Sequence, residues 1–105
     1  MILHLHVKSV YFNQIKSGEK TEEYREYYKW YPRLVNRKYS MVWIYDAYKK
    51  VSPKTLIKFR WNGASVKTII HPHFGMRIKK VFAIDLTERI KDEQDRNNKK
   101  RTCHN

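Results

Sequence analysis

The sequence predicts an α+β domain that is mainly β: a small closed or nearly closed barrel of about five strands with one or two short helices. Three observations carry that expectation. Several short runs alternate apolar and polar residues with the period of two that marks a half-buried strand. An Asn62-Gly63 pair stands between two of these runs, as a hairpin turn would. Helical spacing is limited to short stretches in the first third of the chain.

The first run, residues 2 to 8, puts Leu3, Leu5 and Val7 on one face and His4, His6 and Lys8 on the other. Ser9 suits the N-cap of a helix through Lys16 with Tyr11, Phe12 and Ile15 inward, and Gly18 follows as a C′ glycine would. Residues 20 to 26 carry charges and then a ring, which suits an extended segment at a barrel rim. Tyr27 to Leu34 reads as a short helical turn or an aromatic loop, because Pro32 disfavours the helical conformation at Tyr31. Residues 39 to 48 hold Met41-Val42-Trp43-Ile44, the continuous apolar run of a strand buried on both faces. Residues 55 to 61 alternate cleanly, and Asn62-Gly63 turns them into a partner strand over 64 to 70. The last strand, 77 to 87, turns Ile78, Phe82, Ile84 and Leu86 inward. The expected organisation is one domain over residues 1–88 and a charged C-terminal tail over 89–105, in which Lys99-Lys100-Arg101 would act as an electrostatic arm.

A chain of 105 residues can bury one core but not two. Lys and Arg number 23 against 10 Asp and Glu, a formal net charge of +13. That exceeds what solubility asks of a small domain and favours a polyanionic partner, RNA or another nucleic acid. Eight tyrosines and three tryptophans are more rings than so small a core readily buries, so some should lie at the surface, where rings stack on bases. Cys103 is the only cysteine, which excludes a disulfide or a cysteine-based zinc site within one chain and fits a reducing cytoplasm. The N-terminal run is too short and interrupted for a signal peptide, and no apolar stretch reaches the roughly 20 residues of a membrane span. His4 with His6, and His71 with His73, are spaced to share a metal, but neither pair has an acidic ligand nearby. No metal or cofactor is therefore expected, and His4 or His6 suits a proton shuttle or an RNA contact better.

The densest chemistry lies in the octet Gly18-Glu19-Lys20-Thr21-Glu22-Glu23-Tyr24-Arg25. In an extended segment Glu23 and Arg25 share a face, and Lys20 enters from the preceding turn. A carboxylate between two cations orients both toward whatever sits above. Lys20 and Arg25 could stabilise charge on a phosphate oxygen while Glu23 or Tyr24 moved a proton, with a ribose 2′-hydroxyl as nucleophile. The bland alternative is that the same groups form a purely structural ion-pair network pinning the loop to the barrel.

The spacing Gly-x-Lys-x-x-Glu-x-Arg, met by Gly18, Lys20, Glu23 and Arg25 after a strand and the helical pattern Tyr11-Phe12-x-x-Ile15-x-x-Gly18, resembles the ASCH domain family of the PUA-like superfamily. The central apolar strand and the closing Val81-Phe82-Ala83-Ile84-Asp85-Leu86 strand extend that resemblance over residues 2 to 87. It implies a PUA-like barrel with an RNA-facing cleft between helix and barrel. It also implies ribonuclease or, in one branch, acetylcytidine amidohydrolase activity as alternatives. The amidohydrolase branch has a threonine where Glu23 stands and uses a later strand glutamate; here the only acids between Glu26 and Glu88 are Asp46 and Asp85.

The expected function is thus RNA binding, with Lys8, Lys20, Arg25, Tyr27, Tyr28, Trp30, Lys58 and Arg60 as nucleic-acid contacts. Lys20, Glu23, Arg25 and Tyr24 would be the catalytic groups of a ribonuclease using the same cleft. A protein-interaction module built on the aromatics is the remaining alternative.

Overall fold

The computed structural model describes residues 1–72 and 75–91 of the chain. They form a mainly β α+β fold of six strands and two helices. The N-terminal strand β1 (Ile2–Val7) leads into helix α1 (Ser9–Ser17), strand β2 (Glu22–Glu26) and helix α2 (Tyr27–Leu34). Strands β3 (Met41–Asp46), β4 (Leu56–Arg60), β5 (Ala64–Ile70) and β6 (Ile78–Asp85) follow. Ladder hydrogen bonds divide the strands into two three-stranded sheets, ordered β1-β3-β4 and β2-β6-β5. β1 and β3 run parallel and the other pairs antiparallel.

The alternation of β1 is realised: Leu3, Leu5 and Val7 are buried while His4 and His6 are exposed. They meet Val42 and Ile44 of β3, Ile57 and Phe59 of β4, and Phe82, Ile84 and Leu86 from the second sheet in one core. Phe12 and Ile15 of α1 and Leu34 of α2 complete it. The two sheets join where the chain runs on past β6. Leu86 N–H donates to Thr21 O at 2.9 Å, continuing the β2–β6 pairing. Beyond it Arg60 N–H donates to Glu88 O and Ile90 N–H to Lys58 O, both at 2.9 Å, which joins this segment to β4. Arg89 and Ile90, assigned to the tail by composition, thus pair with β4; the Lys99-Lys100-Arg101 arm, His73 and Cys103 lie outside the described residues.

Several elements differ from the sequence expectation, each for a physical reason. Residues 22–26, expected only as an extended rim segment, form a sixth strand by pairing with β6. Asn62-Gly63 does not close a hairpin. β4 belongs to one sheet and β5 to the other, and Gly63, at φ 90°, lets the chain cross between them while its carbonyl accepts Asp85 N–H at 3.1 Å. Ser9 is the first helical residue rather than the cap; its hydroxyl donates to the buried carboxylate of Asp46 at 2.7 Å, and Lys8 takes the cap position. Pro32 sits inside α2 without ending it. Tyr27 stacks on Phe82 at 4.9 Å and Leu34 is buried, and this packing outweighs the local preference. β3 alternates between buried and half-exposed residues instead of being buried throughout, because Trp43 and Tyr45 place large rings on its outer face. Ile78 is 68% exposed, since β2 pairs with β6 only as far as Val81 and the β5–β6 ribbon extends beyond it.

Candidate functional site

Gly18 ends α1 in the left-handed region at φ 85°, and Lys20 N–H reaches back to Gln14 O at 3.0 Å. That turn delivers Lys20 beside the start of β2. On β2 the two-residue period sets Glu23 and Arg25 on one face, as the octet requires. Glu23 Oε2 accepts from an Arg25 terminal nitrogen at 2.8 Å, and Glu23 Oε1 lies 3.6 Å from Lys20 Nζ. The Glu23 side chain is only 10% exposed, Lys20 13% and Arg25 18%. Arg25 also donates to His6 O at 3.0 Å, tying β2 of the second sheet to β1 of the first. Its Nε is buried and has no hydrogen-bond partner among the described residues.

These residues line a cleft of about 320 Å³. Lys8, Lys20, Glu23, Tyr24, Arg25 and Trp30, all singled out from sequence, come together there. So do His6, Tyr11, Lys29, Tyr48 and His71. Four cations, Lys8, Lys20, Arg25 and Lys29, face two carboxylates, Glu23 and Glu26, and Glu26 is already paired to Lys79 at 3.1 Å. The cleft is therefore net positive and suits an anion. Lys20 Nζ lies 4.6 Å from the centre of the Tyr24 ring and 5.7 Å from that of Tyr11. The Arg25 and Arg33 guanidinium groups lie 4.9 and 4.8 Å from the Trp30 ring centre, which fixes both cations and ring. Tyr48 is 72% exposed at the cleft and offers its ring to a ligand.

Tyr24 is not poised to accept a proton. Burial first, and then the hydrogen bond its hydroxyl donates to Glu22 Oε1 at 3.1 Å, raise its phenol above the ordinary 10.0. Lys67 shares that carboxylate at 2.7 and 2.8 Å. The side chain can orient Lys20 and donate a hydrogen bond, but at neutral pH it stays protonated.

Four of the expected nucleic-acid contacts lie elsewhere. Tyr27 is half-buried against Phe82, with Lys80 Nζ 4.0 Å from its ring centre. Tyr28 is 78% exposed and packs edge-on against Tyr27. Lys58 stands over Trp43 on the outer face of the first sheet, and Arg60 is paired with Glu88 at 2.8 Å. Of the two N-terminal histidines, His6 lines the cleft, whereas His4 meets Tyr45 and Trp43. Of the residues that sequence reasoning did not place at the site, Tyr11 comes from α1, where it was expected inward, while Tyr48 and His71 arrive through long-range pairing. The parallel β1–β3 register sets the ends of both strands at one rim, where Ala47 N–H donates to Val7 O at 2.8 Å. His71 follows β5 and approaches Tyr11 at 5.7 Å and Tyr24 at 6.1 Å.

No known family model matches this chain, and neither a curated protein nor a solved structure does.

Proposed function

We propose that the chain is a cytoplasmic, ASCH-type, PUA-like domain that binds single-stranded RNA in the cleft built on the Gly-x-Lys-x-x-Glu-x-Arg motif. The observation that supports this reading best is the Lys20–Glu23–Arg25 array, clamped at 3.6 and 2.8 Å and lining a net-positive cleft beside aromatic rings. In this reading Glu23 aims the two cations, Lys20 takes a phosphate oxygen, and Lys8 and Lys29 hold neighbouring phosphates at the rim. Tyr48 stacks on a base. Residues 1–72 and 75–91 contain no helix long and apolar enough to cross a membrane.

Binding is favoured over cleavage because neither of the octet's two proton-accepting candidates, Tyr24 and Glu23, is free to act. Tyr24 keeps its proton at neutral pH, and Glu23 is engaged by both cations. Titration of fluorescein-labelled octauridylate followed by anisotropy tests the proposal. Lys20→Ala should weaken binding about tenfold with the fold intact, the scale of one charge-assisted hydrogen bond. Equal affinity in the folded variant would overturn it. The labelled RNA should also remain intact on long incubation; cleavage that disappears in Lys20→Ala would make the site a ribonuclease instead.

A further inference from the structure

Beyond the cleft lies a second surface that the RNA-binding reading leaves unused: the outer face of the β1-β3-β4 sheet. The strand register places His4 opposite Trp43 and His6 opposite Tyr45, with Lys58 opposite Trp43 on the far side. All five side chains point away from the core, whose residues occupy the alternate positions. His4 and His6 are exposed, and Trp43, Tyr45 and Lys58 are half-buried.

The rings are held in place before any ligand arrives. His6 and Tyr45 stack at 4.6 Å with an interplanar angle of 11°. His4 Nδ1 is hydrogen-bonded to the Tyr45 hydroxyl at 2.7 Å, and its ring meets Trp43 edge-on at 5.5 Å. Lys58 Nζ stands over the Trp43 ring, 4.3 Å from its centre, so a cation accompanies the largest ring of the face. Rings fixed in this way lose little rotamer freedom when a base stacks on them.

We propose that this face is a stacking platform for the same single-stranded RNA, continuing the path that begins in the cleft. The inference rests on the RNA-binding reading above. Three features commit it to that occupant. His6 belongs to both surfaces, so the platform is continuous with the cleft. A cation held at an aromatic ring suits a phosphate next to a stacked base, as on other sheet surfaces that bind single strands. The chain carries a net charge of +13, which an RNA strand complements. His4 and His6 are also two residues apart, about 6.6 Å along a strand, so successive nucleotides of an extended RNA can each meet a ring.

The test compares diuridylate, short enough for the cleft alone, with octauridylate, long enough to reach the platform. Trp43→Ala should weaken octauridylate binding about tenfold, the scale of one lost base–ring stack, and leave diuridylate binding unchanged. Lys58→Glu, a change outside the core, should weaken octauridylate binding about fivefold and decides the matter if Trp43→Ala does not fold. Octauridylate affinity unchanged in the folded variants, while Lys20→Ala still weakens it, would overturn the platform and leave the cleft standing. Failure of the unmodified chain to bind either oligonucleotide would overturn the cleft reading and the platform with it. Self-association abolished by Lys58→Glu would give the face to a second copy of the chain, and the platform would be wrong.

Discussion

Removing the Glu23 carboxylate would leave Lys20 and Arg25, both mostly buried, facing each other without the anion that separates them. Breaking a largely buried pair from one side costs more than the pair contributes, because the remaining charges keep their desolvation penalty. Glu23→Gln should therefore destabilise the fold by about 2 kcal/mol, less than for a fully buried pair. In a domain of this size that lowers the Tm by about 10 °C. A thermal melt superimposable on that of the unmodified chain would reduce the array to a surface feature. A second residue-scale prediction concerns alkaline pH. Burial raises the phenols of Tyr24 and Tyr45 above 10.0, and the hydrogen bond to Glu22 raises Lys67 above 10.5. A group whose folded value is raised favours the fold while protonated. Its contribution is complete below the ordinary value and is lost as pH climbs through the raised one. Urea midpoints should thus fall above pH 10. Tyr24→Phe should make that fall shallower; an identical pH profile would show that its environment does not distinguish phenol from phenolate.

At the scale of elements, Gly18 connects helix geometry to the site. It sits at φ 85°, and a Cβ added there would meet nothing within 4 Å, so Gly18→Ala isolates the backbone cost of the left-handed conformation. That cost is about 1 kcal/mol. Because the turn positions Lys20, RNA affinity should drop along with the denaturation midpoint. A stability change with no change in affinity would separate the turn from the site. The end of α1 was legible because a C′ glycine is a local signal with a local cause. The start was less so: the Ser9 hydroxyl is drawn to Asp46, which lies 37 residues along the chain, and no local pattern marks that partner. α2 followed the same logic, with Phe82 and the core holding a helix that Pro32 argues against.

On the scale of the whole molecule, the net charge of +13 makes the proposed affinity for RNA a function of salt. If binding is dominated by phosphate contacts, log K should fall linearly with log salt, losing about two orders of magnitude or more between 50 and 200 mM. A flat profile would remove phosphate contacts from the account and favour the aromatic surfaces as a protein interface. The Lys20→Ala variant should show a shallower slope than the unmodified chain, by about one counterion.

The sequence by itself determined the class of the fold, five of the six strands as strands, the inward residues of β1 and β4, and the end of α1. It also brought Lys20, Glu23 and Arg25 onto one face. All of these follow from periods of 2 or 3.6 residues and from turn chemistry, which act over a few neighbours. Only the tertiary structure decided which strands share a sheet. Asn62-Gly63 has the composition of a hairpin whether its flanking strands pair with each other or with β3 and β6. Tertiary structure likewise decided that Tyr48 and His71 join the cleft, that Tyr27, Tyr28, Lys58 and Arg60 do not, and that His4, Trp43 and Tyr45 share one outer face. Such neighbours are set by strand pairing across 40 or so residues, such as His4 with Trp43, and that pairing is chosen by burial of the whole core rather than by either segment alone.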